Sequence, residues 1–231
     1  MTNSRQQNLL KIIVKEYIKT AEPISSGLLV RKFKLPYSPA TVRNEMVKLK
    51  EEGYIHQPHT SAGRVPTEKA YKFYIANFLS ERIPARQIEI KKNNEQSLSS
   101  QGGPALSGKQ IAKELASKTG LAVFWAEDED DLHYTGISNL LSQPEFIETQ
   151  QAISVSKSID DIEDIITSMF SFINNEPQIL IGEENPFNTT CGSVIVKYRH
   201  GNHTGMFGIV GPMRMDYEQC LRLINYIIHK L

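Results

Sequence analysis

Apolar side chains recur at helical spacing in three successive segments near the start of the chain. The first segment predicts a helix over residues 4–19. The second predicts a short helix that has Ser25 or Ser26 as its N-cap and directs Leu28, Leu29 and Phe33 inward. The third predicts a helix with Ser38 as N-cap and Pro39 at its first position, ended by Gly53. A turn of Leu-Pro-Tyr composition separates the second and third helices.

A short hairpin and a fourth helix follow these three segments. Residues 54–56 and 64–65 have strand character, and the residues between them form a polar tip. The helix that opens at Pro66 carries Tyr71, Tyr74 and Phe78, which we expect in the core rather than stacked on bases. The order helix, helix, turn, helix, hairpin is typical of a winged helix-turn-helix, so residues 1–80 are predicted to form a DNA-binding domain of that fold.

The third helix has two distinct faces. Val42, Met46 and Leu49 form the stripe predicted to be buried. Asn44 and Lys48 point away from that stripe, as side chains that contact base edges and phosphates would. An ordinary solvated helix face is the alternative, and it is the charge of the surrounding sequence that favours DNA.

Charged residues are divided unevenly along the chain, although the net charge of the whole chain is zero. Residues 1–80 contain 13 Lys and Arg but six Asp and Glu, a net charge of +7. The remainder contains 13 basic and 20 acidic residues, a net charge of −7. This division predicts that the first part meets a polyanion, with chance variation as the alternative.

Composition places the chain among globular proteins of a reducing compartment. It is 40% hydrophobic and 23% charged, and no stretch reaches the roughly 18 apolar residues of a membrane span. The polar N-terminus does not resemble a signal peptide, and two cysteines do not make a disulfide scaffold. We therefore predict a cytoplasmic protein with no membrane contact.

A segment rich in Ser, Gly, Asn and Gln separates two domains. Residues 91–108 contain almost no apolar side chains and therefore predict a flexible linker, placed at 81–109. From residue 110 the pattern predicts a small α/β domain with a mainly antiparallel sheet, which makes the whole fold α+β. The predicted elements are helix 110–118, strands 121–125 and 132–135, helix 159–173, strand 178–181, the hairpin 193–198 with 204–210, and helix 216–231.

This second domain shows no catalytic pattern. The acidic run 127–131 lacks the spacing of a calcium loop, and His200 and His203 stand on a hairpin tip without other ligands in sequence. Cys191 and Cys220 have no partner base and are predicted to be core thiols. We predict no enzyme activity, no cofactor and no metal.

The segment YSPATVRNEMVKLKEEGYIHQPHTSAGRVPTEKAYKFYI (Tyr37–Ile75) closely resembles the DNA-binding domain of the HrcA heat-inducible transcription repressors. Three stretches of the second domain also resemble that family: Gly136–Phe146, Ile179–Pro186 and Gly208–Tyr217. The resemblance implies a GAF-like second domain and repression of heat-shock chaperone genes by a homodimer on an inverted-repeat operator. It further implies a chaperonin partner and release on heat stress.

Carried onto this sequence, the resemblance implies two groups of DNA contacts. The third-helix group is Ser38, Thr41, Arg43, Asn44 and Lys48; the hairpin group is His59, Thr60, Ser61, Gly63 and Arg64. The chain departs from the family between the segment 121–127 and the strand 132–135, where members carry an inserted dimerisation segment and this chain has only a hairpin tip. How two copies associate is therefore open, and a ligand-sensing regulator controlled through the GAF-like domain is the alternative function.

Overall fold

The computed structural model describes residues 3–79, 107–128, 131–200 and 203–231, which form two compact units. The first unit contains residues 3–79 and 213–216, and the second contains the described residues of 107–212 and 217–231. Most of the predicted linker, residues 81–106, and the hairpin-tip residues 129–130 and 201–202 lie outside the described residues. None of the described helices is long and apolar enough to cross a membrane.

Four helices and a two-stranded hairpin make up the first unit. In chain order they are α1 (Ser4–Thr20), α2 (Ser26–Phe33), α3 (Pro39–Glu51), β1 (Ile55–His56), β2 (Val65–Pro66) and α4 (Glu68–Tyr74), followed by a π-helical turn, Ile75–Leu79. The predicted helices and hairpin are confirmed to within one or two residues.

Local sequence explains where the first three helices begin and end. Asn3, Ser25 and Ser38 each accept a hydrogen bond from the backbone N–H three residues ahead, at 2.8, 3.2 and 3.1 Å. Such N-caps satisfy amides that have no partner inside the helix. Gly53 follows α3 with a φ of +77°, a left-handed conformation that glycine adopts without steric cost.

The core of the first unit lies between the helices. Val42, Met46 and Leu49 are buried as predicted, beside apolar side chains of the other elements. The buried partners are Leu9, Leu10, Ile13, Val14, Ile24, Leu29, Tyr54, Ile55, Ala70, Tyr71, Tyr74 and Leu79. The prediction for Phe33 was wrong, because this last residue of α2 is 36% exposed at the point where the chain turns into the left-handed Lys34.

A backbone bridge fixes the hairpin against the segment that precedes α2. The amides and carbonyls of Ile24 and Arg64 exchange two hydrogen bonds, of 2.9 and 2.8 Å. Arg64 therefore pairs with Ile24, whereas sequence analysis placed it in the hairpin ladder. Gly63 fits beside this bridge only because it has no side chain, since a Cβ there would lie 2.6 Å from backbone atoms of Pro23 and Ile24.

The second unit is built around a five-stranded antiparallel sheet with the order β4-β3-β7-β6-β5. Its elements are α5 (Gly108–Thr119), β3 (Ala122–Ala126), β4 (Leu132–Thr135), α6 (Ile137–Leu141), α7 (Thr149–Asp160), α8 (Ile162–Met169), β5 (Gln178–Ile181), β6 (Cys191–His200), β7 (His203–Pro212) and α9 (Tyr217–Ile228). The predicted antiparallel sheet is confirmed.

Both faces of this sheet are covered. Phe124 lies on the face that packs with apolar residues of α6, α7 and α8. Trp125, its neighbour in the strand, points to the opposite face and stacks on Phe207 at a centroid distance of 4.6 Å. All five residues of β3 are therefore buried, which explains the continuous apolar run in the sequence.

One helix prediction in the second unit was wrong in its bounds, and two helical segments were missed. The predicted helix 159–173 is the pair α7 and α8, which breaks at Asp161. Sequence analysis missed α6, because its five residues are too few to show a helical repeat. It also missed the first half of α7, where polar residues interrupt the apolar spacing. Helix α5 begins at Gly108, since Ser107 and Gln110 form a capping box that extends it toward the predicted linker.

We expect Phe124→Ala to destabilise the second unit by about 3–5 kcal/mol, because it leaves a cavity in a closely packed core. Trp125 is the only tryptophan in the sequence and is 3% exposed, so its emission reports the unfolding of this unit in urea. The control Ile153→Ala changes a side chain that is 52% exposed and should shift the free energy of unfolding by less than about 0.5 kcal/mol. Equal midpoints for the two variants would contradict the assignment of Phe124 to the core.

We expect Gly63→Ala to destabilise the first unit by about 1–3 kcal/mol, because the added methyl group must displace backbone at the bridge. Unfolding in urea is followed by helical circular dichroism and by Trp125 emission. The part of the circular dichroism change that does not coincide with the Trp125 change reports the first unit, because Trp125 lies in the second. Gly27→Ala is the matched control, since a Cβ there meets nothing within 4 Å. If both glycine variants unfold at the same urea concentration as the wild type, the close approach at Gly63 is not a stability constraint.

Candidate nucleic-acid interface

The N-terminal end of α3 is held by a small hydrogen-bond network. Ser38 Oγ accepts from the Thr41 amide at 3.1 Å and lies 2.9 Å from Thr41 Oγ1. Ser38 is exposed, whereas Thr41 is half-buried. Of these two predicted contact residues, Ser38 is the more accessible, and Thr41 contributes to capping the helix.

The middle of α3 presents three polar side chains to solvent. Arg43, Asn44 and Lys48 are all exposed, on the side of the helix opposite the buried stripe. Val47 lies among them and is 40% exposed. An amide, a guanidinium and an ammonium group on one helix face can donate hydrogen bonds to base edges and to phosphates.

Glu45 lies beneath this face, and sequence analysis did not single it out. It is 8% exposed, and its Oε1 atom is 3.8 Å from Arg5 and 3.7 Å from Lys48. The Arg5 guanidinium also stacks over the Tyr37 ring at 4.6 Å. Glu45 thereby links α1 to α3, and its place between Val42 and Leu49 in the helical repeat was the signal that could have revealed its burial.

The loop between β1 and β2 is organised by Gln57, another residue that sequence analysis missed. Its Nε2 atom donates to the Thr60 carbonyl at 2.7 Å and to the Ala62 carbonyl at 3.1 Å. His59, Thr60 and Ser61 are exposed at the tip. These three predicted contact residues are therefore brought together on a loop whose backbone is braced from inside.

Gly63 and Arg64 lie at the base of the loop and are half-buried. The Arg64 Nη1 atom is 3.4 Å from the carbonyls of Ala62 and Gly63, and its buried Nε atom makes no hydrogen bond within the described residues. Arg64 therefore keeps donor capacity at the base of the loop.

Electrostatics favour an anionic partner at this surface. The segment 38–50 contains a single acidic residue, the buried Glu45, and the segment 53–67 contains none. Exposed cations stand on both segments, and no carboxylate of either segment faces solvent beside them. Glu51, at the C-terminal end of α3, is the nearest exposed carboxylate on that helix. The N-terminal and middle parts of α3 and the loop can therefore attract phosphates.

The second unit offers little to a reactive ligand. Burial raises the pKa of the Cys191 thiol to about 12, and the Glu145 carboxylate adds to that effect while a hydrogen bond with Thr190 opposes it. Cys191 and Cys220 are both buried and form no disulfide. The Cys191 thiol is therefore protonated and inaccessible at neutral pH. The described residues contain no group of three His, Cys, Asp or Glu side chains able to hold a metal ion.

Curated relatives match nearly the whole chain. The heat-inducible transcription repressor HrcA of Desulforudis audaxviator is 25% identical over 333 aligned positions, which cover 99% of this chain and 96% of the relative. The chain has 231 residues, so about a hundred of those positions face gaps in it. The repressor of the same name from Natranaerobius thermophilus is 44% identical over 92 residues, covering 39% of this chain and 27% of the relative.

A solved structure and a family model extend these matches. A crystal structure of a hypothetical protein has a TM-score of 0.78 and 20% identity, covering 100% of this chain and 97% of its own, which shows a shared fold. The family model described as the HrcA protein C terminal domain matches residues 41–221. The chain therefore belongs to the HrcA family of heat-inducible transcription repressors.

Proposed function

We propose that the chain is a sequence-specific DNA-binding repressor whose first unit is a winged helix-turn-helix. In this proposal α3 is the recognition helix and lies in the major groove, and the β1–β2 loop is the wing that contacts the adjacent backbone or minor groove. The observation that carries the proposal is the exposed polar face of α3 beside a wing fixed to the same body.

Each predicted contact residue receives a role in this arrangement. Asn44 reads base edges, because an amide group forms paired hydrogen bonds with adenine. Arg43, at the flank of the same face, contacts a backbone phosphate. Lys48 contacts a phosphate, since it is exposed on the solvent side of the helix even though its Nζ atom lies 3.7 Å from Glu45 Oε1. Ser38 and Thr41 position the helix N-terminus, whose free amides suit a phosphate. The wing group His59, Thr60, Ser61, Gly63 and Arg64 meets the neighbouring strand.

Family membership supports the biological part of the proposal. Curated relatives carry the name heat-inducible transcription repressor. We infer that this chain represses heat-shock chaperone genes from an inverted-repeat operator, acts as a homodimer, and is released on heat stress with a chaperonin as partner. The cytoplasmic localisation and the GAF-like character of the second unit stay predictions.

The ligand-sensing alternative receives less support from the second unit. The cavity bounded by Phe124, Leu140, Val155, Phe187 and Cys191 measures about 30 Å³. That volume holds about one water molecule, whereas ligand pockets are roughly 300–1,000 Å³. A metabolite would have to open this core before it could bind there.

We expect Asn44→Ala to weaken binding to the preferred duplex by about 1–3 kcal/mol and to relax sequence preference, because it removes a base contact. Lys48→Ala should weaken binding to all duplexes alike and lower the salt slope by about one, because it removes a phosphate contact. Fluorescence anisotropy across a salt series, with a selected duplex and a scrambled one, separates the two effects.

Lys157→Ala is the control for Lys48→Ala, since Lys157 is an exposed lysine of the second unit. It should leave affinity for both duplexes unchanged. Equal affinity of the wild type for selected and scrambled duplexes would refute sequence-specific binding, and loss of preference in Lys48→Ala alone would reverse the roles given to the two residues.

We expect two chains to occupy one inverted-repeat duplex, because a two-fold operator matches a two-fold protein dimer. Sedimentation of the full chain with an inverted-repeat duplex measures this stoichiometry. A duplex with one half-site scrambled should bind far more weakly if the two chains associate. A single chain bound per intact duplex would rule out the dimeric repressor.

A further inference from the structure

A cavity of about 430 Å³ lies between the beginning of α2, the exposed side of α3 and the β1–β2 loop. Hydroxyl and guanidinium groups supply most of its polar lining: Ser25, Ser26, Arg43, Thr60, Ser61 and Arg64. No carboxylate is present among its lining residues. The chemistry of the cavity therefore fits an anion that has several oxygen acceptors.

Two arginines of this cavity are not neutralised by the protein. Neither Arg43 nor Arg64 forms an ion pair with a carboxylate of the described residues. The Nε atom of Arg64 is buried and lacks a hydrogen bond, and the two bonds of its Nη1 atom are long at 3.4 Å. A buried donor without an acceptor is unfavourable, so an anion in the cavity would stabilise this side chain.

The beginning of α2 adds further donors to the same cavity. Ser25 Oγ accepts from the Leu28 amide at 3.2 Å, which leaves its own hydroxyl proton to donate elsewhere. The amides of the first turn have no acceptor inside the helix, and the helix dipole adds a partial positive charge there. Ser26 lies in that turn and is 7% exposed, so this part of the lining is well packed.

The cavity is held in shape by the bridge between Ile24 and Arg64. This bridge joins the residue next to Ser25 directly to the residue that supplies the wing guanidinium. The absence of a side chain at Gly63 allows the close approach. The donors from α2 and from the wing therefore keep a fixed spacing before any ligand binds, which reduces the entropic cost of binding.

We propose that this cavity binds one phosphate of the DNA backbone, with Ser25 and the first turn of α2 as contacts in addition to Arg43 and Arg64. The assignment rests on the proposed DNA-binding function, because the cavity opens between the two elements placed on DNA. Guanidinium groups match the geometry of phosphate oxygens, and a phosphate held between helix and wing would fix the register of α3 along the groove.

The test compares Ser25→Asp with Ser25→Asn in the full chain. Asp and Asn are equally good N-caps, so both variants keep α2 folded, but only Asp places a negative charge at the cavity. Ser107→Asp is the charge control, because Ser107 is the N-cap of α5 in the other unit. Circular dichroism checks that all three variants keep the helical content of the wild type.

Binding is measured by anisotropy on a duplex that the wild type selects from random sequence. We expect Ser25→Asp to bind about tenfold more weakly than Ser25→Asn, while Ser107→Asp binds like the wild type. If Ser25→Asp and Ser25→Asn bind within twofold of each other, the cavity does not hold a phosphate. If Ser107→Asp loses as much affinity as Ser25→Asp, net charge explains the loss and the assignment falls.

A second arm identifies the source of the anion. Single methylphosphonates, which carry no charge, are placed at successive positions of the selected duplex. We expect the loss of affinity of Ser25→Asp relative to Ser25→Asn to become smaller at one position in each half-site. At that position the methylphosphonate has removed the charge of the phosphate that the introduced carboxylate repels. If the loss of affinity of Ser25→Asp is the same at every position, no phosphate of the duplex occupies the cavity, and the DNA assignment is overturned.

The two proposals fail in different ways. A wild-type protein that selects no sequence from the random pool overturns the DNA-binding function and this assignment with it. A wild-type protein that selects normally, with Ser25→Asp equal to Ser25→Asn, overturns the phosphate cavity and leaves the DNA-binding function standing.

Discussion

The direction in which α3 presents its polar side chains depends on the burial of its opposite side. Val42, Met46 and Leu49 are each at most 3% exposed, and burial of such side chains contributes about 1.5–3 kcal/mol apiece. These contacts fix the rotation of the helix about its own axis, so that Arg43 and Asn44 face outward. A rotation by one residue, 100°, would bury a charged side chain at a cost larger than any single contact could offset. The outward face is thus determined by the core.

The wing is held to the same body by backbone hydrogen bonds, and this connection gives the surface its fixed spacing. The bridge between Ile24 and Arg64 and the brace from Gln57 order the loop from inside the unit. Donors that are already positioned lose little freedom on binding, and a rigid pair of elements can recognise both a groove and the flanking phosphates. Arg43 and Arg64 have no carboxylate partner within the described residues, so an anionic partner would neutralise their charge.

The second unit differs from the first in that its core is built on a sheet covered on both faces. The cavity beside Phe124 in that core measures only about 30 Å³. Relatives align over about a hundred more positions than this chain has residues, so they contain segments that it lacks.

The sequence by itself determined the local elements of the first unit, because caps, turns and the helical repeat act over a few residues. Ser38 with Pro39, the stripe from Val42 to Leu49 and the stop at Gly53 each follow from such short-range chemistry, as does the polar face of α3. The antiparallel sheet was predicted from apolar runs, but the break between α7 and α8 was missed since tertiary packing decides where a mixed polar helix ends. Only the tertiary structure placed Arg64 beside Ile24, buried Glu45 between two cations, and brought Ser25 next to the wing. Those contacts join residues far apart in the chain, and no local pattern encodes a distance that only the packed core sets.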